Sequence, residues 1–419
     1  MSKTEVILLI ESGNLGSEII SIAKKGYKII YLSSGILPFN LDNKVNLLEY
    51  IEDKNITRYE VLRDHVKRIA EKYNILTMFT TSDFYVYHVS KLSVEFNLNN
   101  LNDTSAYTFS KKHVFREKQR YLGYPYPDFH VLTGLEQGLE IIKNKEIQYI
   151  FKPINGNESL GVKLVSTEDE LKESYRNLSL LSRFTNNLID SSSYILEEYI
   201  EGKIYSCEFI KDQDKLTILG VTNRIISPKP YFIELGYTFP YMDKDINKLV
   251  IETTEKFITD FNYDFGPCHI EYIINENGEI YILEVNPRLV GWPNYWMINE
   301  TLNCDIFSLI NELYITGKIN ELNLGPKCYS TCLEVVPPIE GYFKGLSIKK
   351  EWVNNPDIKI IKNIDDDSYV KLPKSNRDII ARILTKGETM KDSKELALEV
   401  YRDLEIKFVV RSINLPDSL

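Results

Sequence analysis

The chain has no long apolar run, no cysteine framework and no histidine cluster, and each absence removes a class of protein. Its early hydrophobic stretch, Glu5–Ile10 (EVILLI), soon meets Glu11, too short for a secretory leader core or a membrane span. Five cysteines, odd in number and widely scattered, build no disulfide scaffold and suit a reducing cytoplasm. His65, His88, His113 and His130 show no paired spacing, and Cys328 with Cys332 lacks a second cysteine pair, which argues against zinc. There is no P-loop and no dinucleotide fingerprint, and neither solenoid repeats nor low-complexity linkers occur. Positive charge is also scarce: 50 Lys and Arg against 60 Asp and Glu leave −10, which disfavours nucleic-acid or acidic-membrane partners. A local anion pocket stays compatible with that sum.

What is present reads as a folded protein, with 43% hydrophobic and 26% charged residues over 419 positions, enough for two or three domains. EVILLI, a turn through Gly13 and Gly16, the helical pattern SEIISIAKKG and the strand YKIIYLSS make a β–loop–α–β order, predicting a parallel sheet. At the two glycines a tight turn is favoured over an anion site. ILTMFTTS (75–82) and a helix through Val94 continue the layer. Residues 103–121 read as a basic helix, broken by Tyr124-Pro-Tyr-Pro127. The last segment has strand-like pieces, a helix at 393–404 and a closing strand, IKFVVRSI.

The most informative stretch is 269–288, HIEYIINENGEIYILEVNPR. Asn277-Gly278 between two β-rich runs predicts a hairpin with a two-residue type I′ turn. That turn makes Glu276 face Glu279 and, counting back, Glu271 face Glu284 and His269 face Asn286. Alternation then puts Glu284, Asn286 and Arg288 on one face, with Glu271 across the ladder. Directly opposed carboxylates destabilise a sheet when left unpaired. Neither strand carries a lysine on that face, so a dication in the gap is expected: two acids and an amide oxygen suit Mg²⁺ or Mn²⁺.

Tyr149-Ile-Phe-Lys-Pro153 places Lys152 on an apolar strand ahead of the loop Asn155-Gly-Asn-Glu-Ser-Leu-Gly-Val162. Alone, this is either an ordinary hairpin turn or a loop whose N–H groups cradle phosphates beside a lysine. Lys112 and Arg116 stand four apart on one helical face, and residues 193–208 read as strand, connection and strand.

In order, Lys112-x-x-x-Arg116, Phe151-Lys152-Pro153, Ser159-Leu-Gly-Val162, Glu197-Glu-Tyr-Ile200 with Gly202, Glu208, Gly266-x-x-His-x-Glu271 and Glu284-Val-Asn-Pro-Arg288-Leu-Val-Gly291 resemble the ATP-grasp superfamily, particularly its carboxylate–amine ligases. The resemblance implies an α/β (α+β) fold: a Rossmann-like domain at 1–106, an ATP-grasp domain at 107–320 with a phosphate lid near 133–196, and a closing domain at 321–419. It implies that Lys112 and Lys152 contact ATP phosphates under a lid carrying Ser159 and Gly161. Glu197, Glu198 and Ile200 then form the adenine hinge, and Glu271, Glu284 and Asn286 hold Mg²⁺ or Mn²⁺. Arg288 steadies the carboxyl substrate and its acyl phosphate. Where many members place a ribose-binding acid this chain has Ile204, so Glu208 stands in only by proximity. Arg224, Glu234 and Gly291 fall where substrate is bordered. The activity implied is a cytoplasmic ligase that joins a small carboxylate, such as an amino acid, to an amine, and the resemblance leaves a homodimer as an option. Alternatives are a biotin-carboxylase-like enzyme activating bicarbonate and a non-catalytic nucleotide-binding regulator. A nicotinamide oxidoreductase lacks the fingerprint it needs.

Overall fold

Parallel strands that are apolar throughout need cover on both faces, and the N-terminal segment supplies it with helices. β1 (Glu5–Ile10), β2 (Ile29–Ser33), β3 (Glu49–Glu52) and β4 (Asn74–Phe79) form a parallel sheet in the order β3-β2-β1-β4. Residues 6–10 of β1 are fully buried. The computed structural model describes residues 3–143 and 147–409. Gly13 lies so close to β4's outgoing loop that a Cβ there would sit 2.4 Å from the Thr81 carbonyl oxygen. The N–H groups of this turn are already taken: Gly13 donates to Thr81 Oγ1, and Asn14 and Gly16 donate to Ser12 Oγ. The turn is thus a tight connection, as the sequence favours.

The basic stretch read as one helix is two, Asp103–Ser110 and Lys112–Leu122, separated by an extended Lys111. The break has a local cause: the Lys112 N–H leaves the helical ladder to donate to the Ile154 carbonyl at 3.1 Å. A second sheet, β5 (Phe129–Leu132), β6 (Tyr149–Pro153), β7 (Lys163–Val165) and β8 (Tyr194–Glu198), runs in the order β5-β8-β6-β7. The capped helix Glu168–Phe184 packs on it through Leu171 and Leu178.

The long strands β9 (Lys203–Lys211), β10 (Leu216–Ile226), β11 (Glu234–Phe239), β12 (Gly266–Ile274) and β13 (Ile280–Asn286) build the central antiparallel sheet. The chain continues through β14 (Tyr329–Val335), β15 (Gly341–Ser347), β16 (Ile358–Lys362), β17 (Tyr369–Val370), β18 (Ala381–Gly387) and β19 (Glu405–Val409). β14, β18 and β16 extend the central sheet to the order β13-β12-β9-β10-β11-β14-β18-β16, so the late strands share a sheet with the hairpin and form no separate layer. β15, β17 and β19 pair apart from it. The late helix spans Met390–Asp403; the closing strand is described to Val409, and residues 410–413 of IKFVVRSI lie outside the described residues. Aromatic rings of Phe109, Phe115, Phe257, Phe261 and Tyr263 fill the core between the helices and one face of the central sheet. Among the described residues no helix is long and apolar enough to cross a membrane.

Candidate active site

The hairpin opposes Glu271 to Glu284 and His269 to Asn286, but by a route the sequence does not reveal. The turn is not the two-residue type I′ form. Asn275 faces Glu279 around residues 276–278, with Gly278 in the left-handed region at φ 78°. The Asn275 side chain draws the turn to itself, accepting from the Asn277 and Glu279 N–H groups at 3.1 and 2.9 Å. This shifts the register by one, so that Tyr272 pairs with Ile282; Leu283 then inserts as a β-bulge and shifts it back. Two departures cancel, and the acids meet. The bulge also brings Leu283 and Glu284, consecutive residues, to the wall of one cavity of about 1810 Å³.

The bulge is held from outside the hairpin. Arg116, 1% exposed, donates through NH1 to the Ile282 carbonyl at 3.0 Å and through NH2 to the Leu283 carbonyl at 2.8 Å. Gln119 adds a bond to Ile282 at 3.1 Å. The same guanidinium grips Glu197 of β8 with Nε and NH2 at 3.0 and 3.2 Å. Lys152 of β6 reaches Glu197 Oε2, the oxygen that NH2 also bonds. Burial by itself raises the Glu197 carboxyl, but Arg116 and then Lys152 outweigh it and hold it down to about 2. Two cations thus share one anion. Arginine keeps its proton, so the deficit falls on Lys152, which burial pulls down to about 8.

The expectation that only a dication could sit between the opposed acids needs correction. Glu284 takes Lys112, and Glu271 takes Arg224 of β10 together with His269 Nε2 at 3.0 Å. Lys112 and Arg224 come from elements remote in sequence, so scanning the two strands for lysine could not find them. His269 is buried between Glu208 (2.9 Å to Nδ1) and Glu271; burial would lower it, but the two carboxylates raise it to about 9. Burial also pushes the Glu271 carboxyl up, yet Arg224 and His269 hold it well below the usual range. Among the described residues no group of three or more His, Cys, Asp or Glu side chains forms a closed metal cluster. Glu271, Glu284 and Asn286 form an open oxygen set on the cavity wall, a donor chemistry that fits Mg²⁺ whose remaining ligands are water and phosphate.

The other expected residues distribute unevenly. Lys112, Lys152, Glu198, Ile200 and Ile204 line the cavity. The Glu198 N–H is committed to the Asp128 carbonyl at 2.8 Å. Ser159 lines it as well and donates to the Phe232 carbonyl at 3.2 Å, while Glu158 pairs with Arg377 at 2.7 Å; the loop thus rests on the β10–β11 connection and on one residue from the C-terminal part. Gly161 supports the loop without lining the cavity. Arg224, Glu234 and Gly291 also face it, with Arg224 NH1 at 2.6 Å from Glu234. Glu208 does not line it: it sits buried behind His269, accepting from that ring and from Ser206 Oγ, away from any ribose position. Arg288 is clasped by Asp83, Nε and NH2 each at 2.6 Å, while NH1 donates to the Leu289 carbonyl.

Asp83, His269 and Asn14 were missed as site residues. Asp83 follows β4 and Asn14 follows β1, adjacent strands from which the sheet runs in opposite directions, so the crevice rule for open sheets points at both. Asn14 is buried on the cavity wall with neither amide atom hydrogen-bonded.

Residues 145–294 match the family described as the ATP-grasp domain. The chain is 24% identical over 217 residues to the carbamoyl phosphate synthase large chain of Clostridium beijerinckii, covering 51% of this chain and 19% of that one. It is 20% identical over 285 residues to alanine–anticapsin ligase of Bacillus subtilis, covering 65% and 60%. The chain therefore spans a fifth to three fifths of these relatives' lengths. Its fold is that of the L-amino acid ligase structure from Bacillus licheniformis, with TM-score 0.81, 18% identity and coverage of 98% and 100%.

Proposed function

We propose, from the premise that residues 145–294 form an ATP-grasp domain, that the protein is an ATP- and Mg²⁺-dependent carboxylate–amine ligase acting in the cytoplasm. It activates a small carboxylate, an amino acid or related acid, as an acyl phosphate, and couples it to an amine with release of ADP and phosphate. One observation carries this reading: two lysines, a pair of cross-strand acids with an amide, and a clamped arginine converge on one cavity from four separate segments.

Lys152 and Lys112 receive phosphate oxygens, and Glu197 keeps Lys152 oriented through the bond it already makes. Lys112 trades its bond with Glu284 for a phosphate when Glu284 serves as a metal ligand. Glu271, Glu284 and Asn286 would hold Mg²⁺, whose charge would offset that developing on the transferred phosphoryl group. Glu198 and Ile200 border the base, and Leu283 offers it an apolar contact. Arg288, fixed by Asp83, faces the oxyanion that forms when the amine attacks the acyl phosphate. The amine's proton leaves as phosphate departs. The loop through Ser159 keeps water from an intermediate that would hydrolyse. No nucleophile from the protein is required.

The test is ADP release from purified protein with ATP, Mg²⁺ and a matrix of amino acids and amines. Release that needs both an acid and an amine is the expected result. Release sustained by bicarbonate alone would mark a carboxylating enzyme instead, and none with any pair would end the ligase reading.

A further inference from the structure

Five arginines line the cavity, and four of them are accounted for. Arg116 is saturated by Glu197, Gln119 and the bulge carbonyls. Arg288 is spanned by Asp83 and Leu289, and Arg224, whose Nε is buried without a partner, has its charge balanced through NH1 by two carboxylates, Glu234 and Glu271. Arg377 is half in solvent and paired with Glu158.

Arg382 differs. It lies on β18 directly opposite Glu334 of β14 and Ile361 of β16, and its side chain is only 17% exposed. Both Glu334 oxygens lie 2.9 Å from a single nitrogen, Nε. Among the described residues NH1 and NH2 make no hydrogen bond, although a guanidinium matches a carboxylate best through two parallel N–H groups. Glu334 itself is fully buried, and burial pushes its carboxyl up to about 7 against the pull of Arg382. Near neutral pH the arginine's charge is thus only partly balanced. A cation with two donors turned to an open cavity is a ready receptor for an anion. By strand order Arg382 stands apart from the residues proposed to bind the triphosphate. The triphosphate's lysines and metal set sit at the β12–β13 end of the sheet, whereas β18 lies beyond β9, β10, β11 and β14. Ile361 and Ile379 line the cavity beside Arg382 and suit the carbon skeleton of a small acid.

We propose that Arg382 receives a non-reacting carboxylate of one of the two small substrates. The inference rests on the ligase reading and deepens it. Two sources share this chemistry: the carboxylate of an amino acid that serves as the amine, or the second carboxylate of a dicarboxylic acid that is activated. Steady-state ADP release by the full-length chain separates them. In one arm each amino acid competes with its amide as the amine; in the other each dicarboxylic acid competes with its half-amide as the acid. Wild-type protein should favour the free carboxylate in one arm by on the order of 10- to 100-fold in kcat/KM, the range of a charge-assisted hydrogen-bond pair. Arg382→Gln should bring that ratio to within about threefold of one through KM, with KM for ATP unmoved, and Arg382→Lys should recover part of it. Equal rates in both arms of the wild type, or a preference surviving in Arg382→Gln, would overturn the assignment. The wild-type arms decide even where the variant fails to fold. A protein that releases no ADP with any pair sinks the ligase reading first, and this inference with it.

Discussion

Replacing Arg116 should damage the protein twice, once in stability and once in metal use, and the two effects can be separated. In Arg116→Met the buried Glu197 keeps only Lys152, and the Leu283 carbonyl loses its donor. The Glu197 carboxyl lies at about 2 rather than 4.5, a difference worth about 3 kcal/mol, of which Arg116 supplies the largest attractive part. Breaking one side of a buried ion pair costs about 3–5 kcal/mol by other reckonings, and an orphaned carbonyl about 1–3. A net loss of about 4 kcal/mol should lower the thermal midpoint by roughly 5 °C in a chain of 419 residues. The sign of the pH dependence follows from a depressed carboxyl: its stabilisation is present above pH 4.5 and lost as pH falls toward about 2. The variant should therefore lose Glu197's share of the wild type's acid-limb steepness in that window. Arg116→Lys keeps a charge on Glu197 but cannot also reach two carbonyls. It should cost roughly half as much in thermal midpoint while still raising the Mg²⁺ concentration for half-maximal ADP release severalfold, because the bulge that aligns Glu284 with Glu271 is no longer pinned. Differential scanning calorimetry and a Mg²⁺ titration of turnover measure the two. A midpoint within about 2 °C of wild type in Arg116→Met, or an unaltered Mg²⁺ requirement in Arg116→Lys, would refute the coupling of hinge to hairpin.

Glu284→Gln should fold as wild type yet reduce turnover by about 100-fold or more, with a weakened Mg²⁺ response in calorimetric titration of ADP. Because Lys152 sits at about 8 in the free protein, a phosphate beside it should raise that value, so ATP binding near pH 8.5 should take up a proton. Binding enthalpies in buffers of different ionisation heat would show it, and identical enthalpies would contradict it. Asp83→Asn should lower kcat more than it changes KM for ATP, since it frees the Arg288 fork without touching the lysines. Arg377→Ala breaks an exposed pair with Glu158 worth only about 0.2–1 kcal/mol, so KM for ATP should rise less than about fivefold.

Much of this was legible in the chain. Alternating β-rich runs around an Asn-Gly step, a lysine on an apolar strand and the ordered motifs from Lys112 to Gly291 suffice to expect the mixed fold, and the family and structural comparisons agree with that fold. Side-chain alternation is a property of the local backbone, so it placed Glu284 and Asn286 in succession along a strand, whereas Arg288, expected on the same strand, lies in the bend after β13 ends at Asn286. The meeting of Glu271 with Glu284 was reached by counting from the wrong turn: an Asx-anchored loop and a bulge at Leu283 contribute opposite shifts, and neither leaves a mark in residue type. What balances those acids was beyond local reading as well. Lys112 and Arg224 arrive from a helix and from β10, brought there by long-range packing, and join His269 of Glu271's own strand. The same holds for Glu208, which looks like a nucleotide ligand in the chain and is instead the buried partner of a histidine. Periodicity along a strand is set by covalent geometry. Which charges face each other across a cavity is set by how the sheets and helices stack, and only the tertiary structure decides that.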